Sequence, residues 1–247
     1  MKRIASAVIF LGAAFGLTAA AVADGSYQTL PFSQNWTNTG LITVDDDWSG
    51  VAGILGYRGD NLTSVSGADP QTILVDGTTT PVDINANKTD PLTFFSGGLT
   101  EFELADPTVA AFGSGTADAP FMLIHINSSG RMTIRVQYDL RDIEAGTDDA
   151  VSQFALHYRV GTTGDFTNVA AGYVADASGG TTATLVTPVD VVLPSNADNQ
   201  AQLQIRIMTT NAAGNDEAIG IDNLSITGDE TVGVEAETWS IVKSLFR

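Results

Sequence analysis

The sequence predicts an all-β protein: an antiparallel, two-sheet, jelly-roll-like sandwich within 247 residues. Three observations point there. Short runs of β-branched and aromatic residues recur between clusters of Gly, Asp, Asn, Ser and Pro. Several runs alternate strictly between apolar and polar residues, the pattern of a strand with one face in a core and one in water. No segment before the C-terminus repeats its apolar residues every 3.6 positions, so no helices separate the strands.

The chain opens differently. Met1-Lys2-Arg3 is basic, residues 4–17 are apolar, and small residues lead to Ala21-Val22-Ala23 before Asp24. This is the pattern of a secretory signal peptide with its cleavage site after Ala23. Residues 1–23 are therefore expected to be a leader, and the protein to be secreted, extracellular or at the cell surface, with the periplasm as the other destination. No later apolar run is long enough to span a bilayer as a helix.

Residues 24–228 form the expected sandwich. Early strands are read at Leu41–Val44, Val51–Tyr57, Thr72–Val75, Thr100–Leu104 and Phe121–Ile126. Longer ones follow at Met132–Leu140, Phe154–Val160, Ala183–Leu193, Leu203–Thr209 and Ile219–Ile226. Ile134, Val136, Tyr138 and Leu140 share an inward face, with Thr133, Arg135, Gln137 and Asp139 facing water. In the same way Gln153, His157 and Arg159 oppose Phe154, Leu156 and Tyr158, while Gln202, Gln204 and Arg206 oppose Leu203, Ile205 and Ile207. Residues 229–237 are acidic and read as a linker. Residues 238–247, TWSIVKSLFR, place Trp239, Val242, Leu245 and Phe246 on one face of a short amphipathic helix. Such a tail needs a surface to dock on and suits a sorting or export partner.

Composition narrows the function. Asp plus Glu number 29 against 11 Lys plus Arg, a net charge of -18. That surface repels phosphate, which excludes nucleic acid as a general partner. There are no cysteines, which removes disulfides, thiolate metal sites and thiol nucleophiles. The two histidines, His125 and His157, lie in strand runs with no G-x-S-x-G elbow in the chain, so no hydrolytic triad is expected, and the protein is read as a non-enzyme.

Two sets of residues remain as binding candidates. Asp45, Asp47, Asp216, Glu217 and Asp222 would supply the oxygen ligands of a structural calcium if first and last strands meet. Arg135, Arg159 and Arg206 would form a polar stripe on one outer sheet face, suited to a carboxylate or sulfate. Trp36, Trp48 and Tyr57 would offer sugar-stacking rings from loops.

Four segments carry a family likeness: LPFSQNW at Leu30–Trp36, DDWSGVAGILGYRGD at Asp46–Asp60, VQYDLRDI at Val136–Ile143 and GNDEAIGIDNLSITG at Gly214–Gly228. With them the chain resembles secreted bacterial jelly-roll β-sandwich domains, MAM-like and adhesin-like. Such domains occur in surface proteins and ahead of some extracellular nuclease domains. The resemblance implies a non-catalytic interaction or adhesion module whose partner is a cell-surface glycan or protein. The alternative is a carbohydrate-binding module working through loop aromatics with calcium. No nuclease domain follows here, so no nuclease activity is implied.

Overall fold

A computed structural model describes residues 23–76, 80–146 and 150–231. The expected leader, except Ala23, and the amphipathic tail lie outside these residues. Within them the chain is an all-β two-sheet sandwich. No helix of the described residues is long and apolar enough to cross a membrane.

The first sheet contains β1 (Gln28–Thr29), β3 (Ile54–Tyr57), β7 (Phe121–Asn127), β9 (Phe154–Val160), β10 (Thr167–Asn168) and β12 (Leu203–Thr209). Its order is β1-β7-β12-β9-β10, and β3 also pairs with β7. The second sheet contains β2 (Phe32–Gln34), β4 (Asn85–Lys88), β5 (Gly98–Phe102), β6 (Thr108–Phe112), β8 (Arg131–Asp142), β11 (Val186–Val192) and β13 (Ile219–Glu230). Its order is β11-β8-β13-β6-β5-β4, with β2 on β13. Pairing is antiparallel except where β1 meets β7 and β4 meets β5.

The core lies between the sheets. β8 gives it Ile134, Val136, Tyr138 and Leu140, as alternation predicts, while Arg135 faces water. β13 gives Ile219 and Ile221, then Leu224 and Ile226. The switch from odd to even positions is made by a bulge between Asp222 and Ser225. Asn223 turns it at φ 50°, in the left-handed region that Asn tolerates. β13 runs on to Glu230, so Asp229 and Glu230, expected in the linker, belong to the last strand.

Two expected strands are turns. Residues 39–41 and 70–72 form single 3-10 turns, started by Asn38 and Asp69, whose side chains accept from Gly40 N–H and Gln71 N–H. These are side-chain caps of the kind that compete with strand pairing. Ile42 and Ile73 beside them are still buried. β6, TVAAF, is buried on both faces, and so lacks the alternation that marks a strand.

The largest departure concerns the outer face of the first sheet. Every residue of β12, and β9 up to Arg159, is buried. Gln204, Arg206, His157 and Arg159 therefore do not face water. A strap formed by residues 60–76 lies over them, and Leu62, Ala68 and Ile73 of the strap join Phe121, Leu123, Phe166 and Met208 in a second small core. The strap leaves β3 through Gly59 (φ 66°), where a Cβ would come within 1.8 Å of the Ala119 carbonyl oxygen. Only glycine fits that crossing.

Candidate functional site

The candidate binding residues fall in three places, and only some of them meet. Trp36 and Trp48 are core residues. Trp48 is fully buried and Trp36 is 3% exposed. Their rings meet edge to face at 6.3 Å. Trp36 Nε1 donates to the Ile221 carbonyl at 2.8 Å, and Trp48 Nε1 to the Asp83 carbonyl at 3.2 Å. Each indole thus places its one polar atom on backbone and the rest in the sandwich, which corrects the expectation of sugar-stacking loops. Tyr57 is half-buried and stacks on Phe121 at 4.7 Å.

The arginine stripe is divided between the sheets. Arg135 sits on the second sheet, where its Nε and Nη2 grip Asp190 at 2.6 and 2.5 Å. Arg159 and Arg206 come together on the first sheet, under the strap. Arg159 binds Gln204 Oε1 through Nε at 2.9 Å and Asp76 through Nη1 at 2.8 Å. Arg206 donates to the carbonyls of Ile73 and Val75 and to His157 Nδ1. Both guanidinium carbons lie over the Phe166 ring, at 4.2 and 4.0 Å. Burial, and then the charge of Arg159, brings Arg206 down to about 9. Burial, and then Arg206, brings His157 down to about 3. A neutral imidazole that accepts at Nδ1 carries its proton on Nε2, and the Pro70 carbonyl faces it there. The stripe is a clamp on the strap, and sequence alternation could not tell a strap from water.

The acidic set is dispersed. Asp45 accepts from Ala86 N–H at 2.7 Å, beside Lys88. Asp47 accepts from Ser49 N–H. Asp216 joins the end of β6 to the β12–β13 loop, and buried Glu217 accepts from Ala150 N–H. Asp222 is buried against Arg141. Among the described residues no three metal-ligating side chains converge. The meeting of Asp45 and Asp47 with Asp216, Glu217 and Asp222 on which the calcium expectation depended is thus not formed.

The arrangement best suited to binding is an open groove of about 770 Å³ at one end of the sandwich. One wall is Leu92, Phe94 and Phe95 from the loop between β4 and β5. The floor and far side are Phe112–Gly115, Glu144–Gly146 and the β12–β13 loop at Asn211 and Gly214–Asp216. Phe94 is held edge-on by Phe102 and Phe112 at 6.3 and 6.4 Å. Phe95, next along the chain, is 75% exposed, and Leu92 is 46% exposed. The Phe94-Phe95 pair was missed because it lies in an irregular loop. The one available signal was two adjacent phenylalanines beside Gly97-Gly98. At the floor, a Cβ on Gly113 would come within 2.2 Å of Asn211 Cα, so glycine lets the two backbones meet.

Asp216 secures this floor. Its Oδ1 accepts from Gly113 N–H at 3.1 Å and Ala212 N–H at 2.8 Å. Burial pushes its carboxyl up to about 6, opposed by those two hydrogen bonds. The folded value lies above the ordinary 3.8. Stability from this group is therefore complete below about pH 4 and is lost as pH rises through about 6. Asp216→Asn keeps the accepting oxygen and removes the titration. The gap between the two proteins in urea midpoint should open in favour of Asn between pH 4 and 7. A gap constant over that range would show that Asp216 ionises normally.

No family model matches this chain, and no curated protein matches it. It is similar to several solved structures. A non-crystalline-cellulose-specific carbohydrate-binding module is 14% identical, over 53% of this chain and 80% of that one, with a TM-score of 0.40. A xylan-binding module is 12% identical, over 82% and 99%, with a TM-score of 0.40. The cleaved adhesin domain of Lys-gingipain is 15% identical, over 81% and 99%, with a TM-score of 0.42. At these values the likenesses assign neither ligand nor activity to this chain.

Proposed function

We propose that the protein is a secreted or surface-held, non-catalytic, jelly-roll-like module for interaction or adhesion, engaging its partner through the groove between Phe95 and Asp216. The observation that carries this reading is an exposed aromatic and aliphatic rim, Phe95 and Leu92, over a floor with polar groups. An apolar wall with a few converging polar groups is the usual make-up of a recognition site, and exposed rings are its energetic anchors.

A second reading is supported by the same residues. The rings of Phe94 and Phe95 with the side chains of Asn211 and Asn215 are also groups that take a saccharide, stacking on its C–H face and bonding its hydroxyls. An array of neutral, uronic and sulfated glycans, run beside retention on whole fixed cells, separates the two.

Phe95→Ala should leave the melting temperature unchanged, because the side chain is exposed. It should weaken whichever binding is found by roughly tenfold or more. Retention on cells without array binding favours a protein partner, and array binding favours the saccharide. Full binding by Phe95→Ala would remove the groove from consideration.

A further inference from the structure

Every Lys and Arg among the described residues is already engaged inside the fold. Arg58 pairs with Asp60, Lys88 with Asp45, Arg131 with Glu230, Arg135 with Asp190, Arg141 with Asp106 and Asp222, and Arg159 with Asp76. Arg206 is buried on carbonyl oxygens. The groove, in contrast, holds the carboxylates of Glu144 and Asp216, and no basic residue lines it. Outside the leader, the remaining cations of the chain are Lys243 and Arg247, set among Trp239, Val242, Leu245 and Phe246. That segment has the aromatic and basic chemistry that complements an aromatic, acidic groove.

Geometry decides whose groove it meets. β13 begins at the groove end, where Ile219 pairs with Ala111 just after Asp216, and finishes at the other end, where Glu230 pairs with Arg131. Its 12 residues separate the two ends by roughly 35 Å at about 3.3 Å per residue. The eight residues from Thr231 to Trp239 reach at most about 28 Å when fully extended. Trp239 therefore falls short of the groove of its own chain.

We infer that residues 238–247 of one copy dock in the Phe95–Asp216 groove of a second copy, joining the modules head to tail. The inference rests on the reading of the groove as the interaction site and names its partner. Groove and segment are different surfaces at opposite ends, so the contact is heterologous and does not close on itself in a pair.

Sedimentation equilibrium of the secreted chain tests this. The mean mass of the wild type should rise steadily with concentration up to about 1 mM. Phe95→Ala has a damaged groove and Trp239→Ala a damaged segment, and each alone should remain monomeric. Mixed in equal amounts they should form a one-to-one heterodimer and nothing larger, since one intact groove then meets one intact segment. Three outcomes overturn the inference: a wild type that stays monomeric, a mixture that stays monomeric, or a Trp239→Ala variant that associates like the wild type. If Trp239→Ala has no effect on mass while Phe95→Ala still loses retention on cells or glycans, the groove is an interaction site and the head-to-tail contact is wrong. If Phe95→Ala loses neither, the reading of the groove falls as well.

Discussion

Arg206→Ala should destabilise the protein by about 3–5 kcal/mol, the cost of removing one member of a buried charged network. Native domains have only about 5–15 kcal/mol in total. The substitution leaves three acceptors without their donor: the carbonyls of Ile73 and Val75 and Nδ1 of His157. It also opens a space beneath Phe166, on whose ring the guanidinium lies. Arg206→Met, which keeps the length and removes the charge, should cost less, because a packed apolar chain needs no partner there. The strap should loosen before the sandwich does, so limited proteolysis should cut between residues 60 and 76 in the Ala variant first. Urea midpoints of the three proteins at equal slope measure the effect. A loss under about 1 kcal/mol for Ala would mean that the strap is held by Ile73 and Leu62 alone.

Trp48→Ala should cost a similar amount, about 3–5 kcal/mol, as expected for a large aromatic removed from a core that cannot collapse to fill the space. The indole is fully buried, meets Trp36 edge to face and bonds the Asp83 carbonyl. That carbonyl belongs to a crowded crossing: a Cβ on Gly56 would lie 2.2 Å from it and 2.7 Å from the Trp48 ring. Neighbouring backbone is thus poorly placed to move in. Folded Trp48→Ala should bind glycans or cells as the wild type does, since nothing of Trp48 reaches the surface. A variant with an unchanged urea midpoint and no binding would return Trp48 to the ligand-binding set.

The sandwich was legible wherever a strand has one wet face. β8 alternates along its length and meets water through Thr133 and Arg135, so its residues declare both faces. The pattern is ambiguous where a second layer covers the sheet. His157, Arg159, Gln204 and Arg206 occupy polar positions, and nothing local distinguishes solvent from a chain segment whose carbonyls accept their protons. The clue was at a distance: DPQTILVD at residues 69–76 supplies a Pro, two apolar residues for a small core, and Asp76 for Arg159. The groove was illegible for a related reason. Its walls come from four loops, and loops have no period. The tryptophans misled because an indole in a loop sequence resembles an exposed platform, whereas both fold inward and spend their N–H on strand or loop backbone.

The position of β13 has a consequence for the order in which the molecule can form. It lies in the middle of the second sheet, bonded to β8, β6 and β2, yet it is the last strand in the chain. Until residues 219–230 are present, β8 and β6 have no neighbour between them, and β2, from the first strands of the chain, has no place to bind. A chain delivered N-terminus first can form hairpins and part of the first sheet, but it cannot close the sandwich. Its contacts join the two ends of the polypeptide, the kind of long-range pairing that makes folding slow. The consequence is a delay: the polypeptide stays open and threadable until its final strand arrives, and then closes around it.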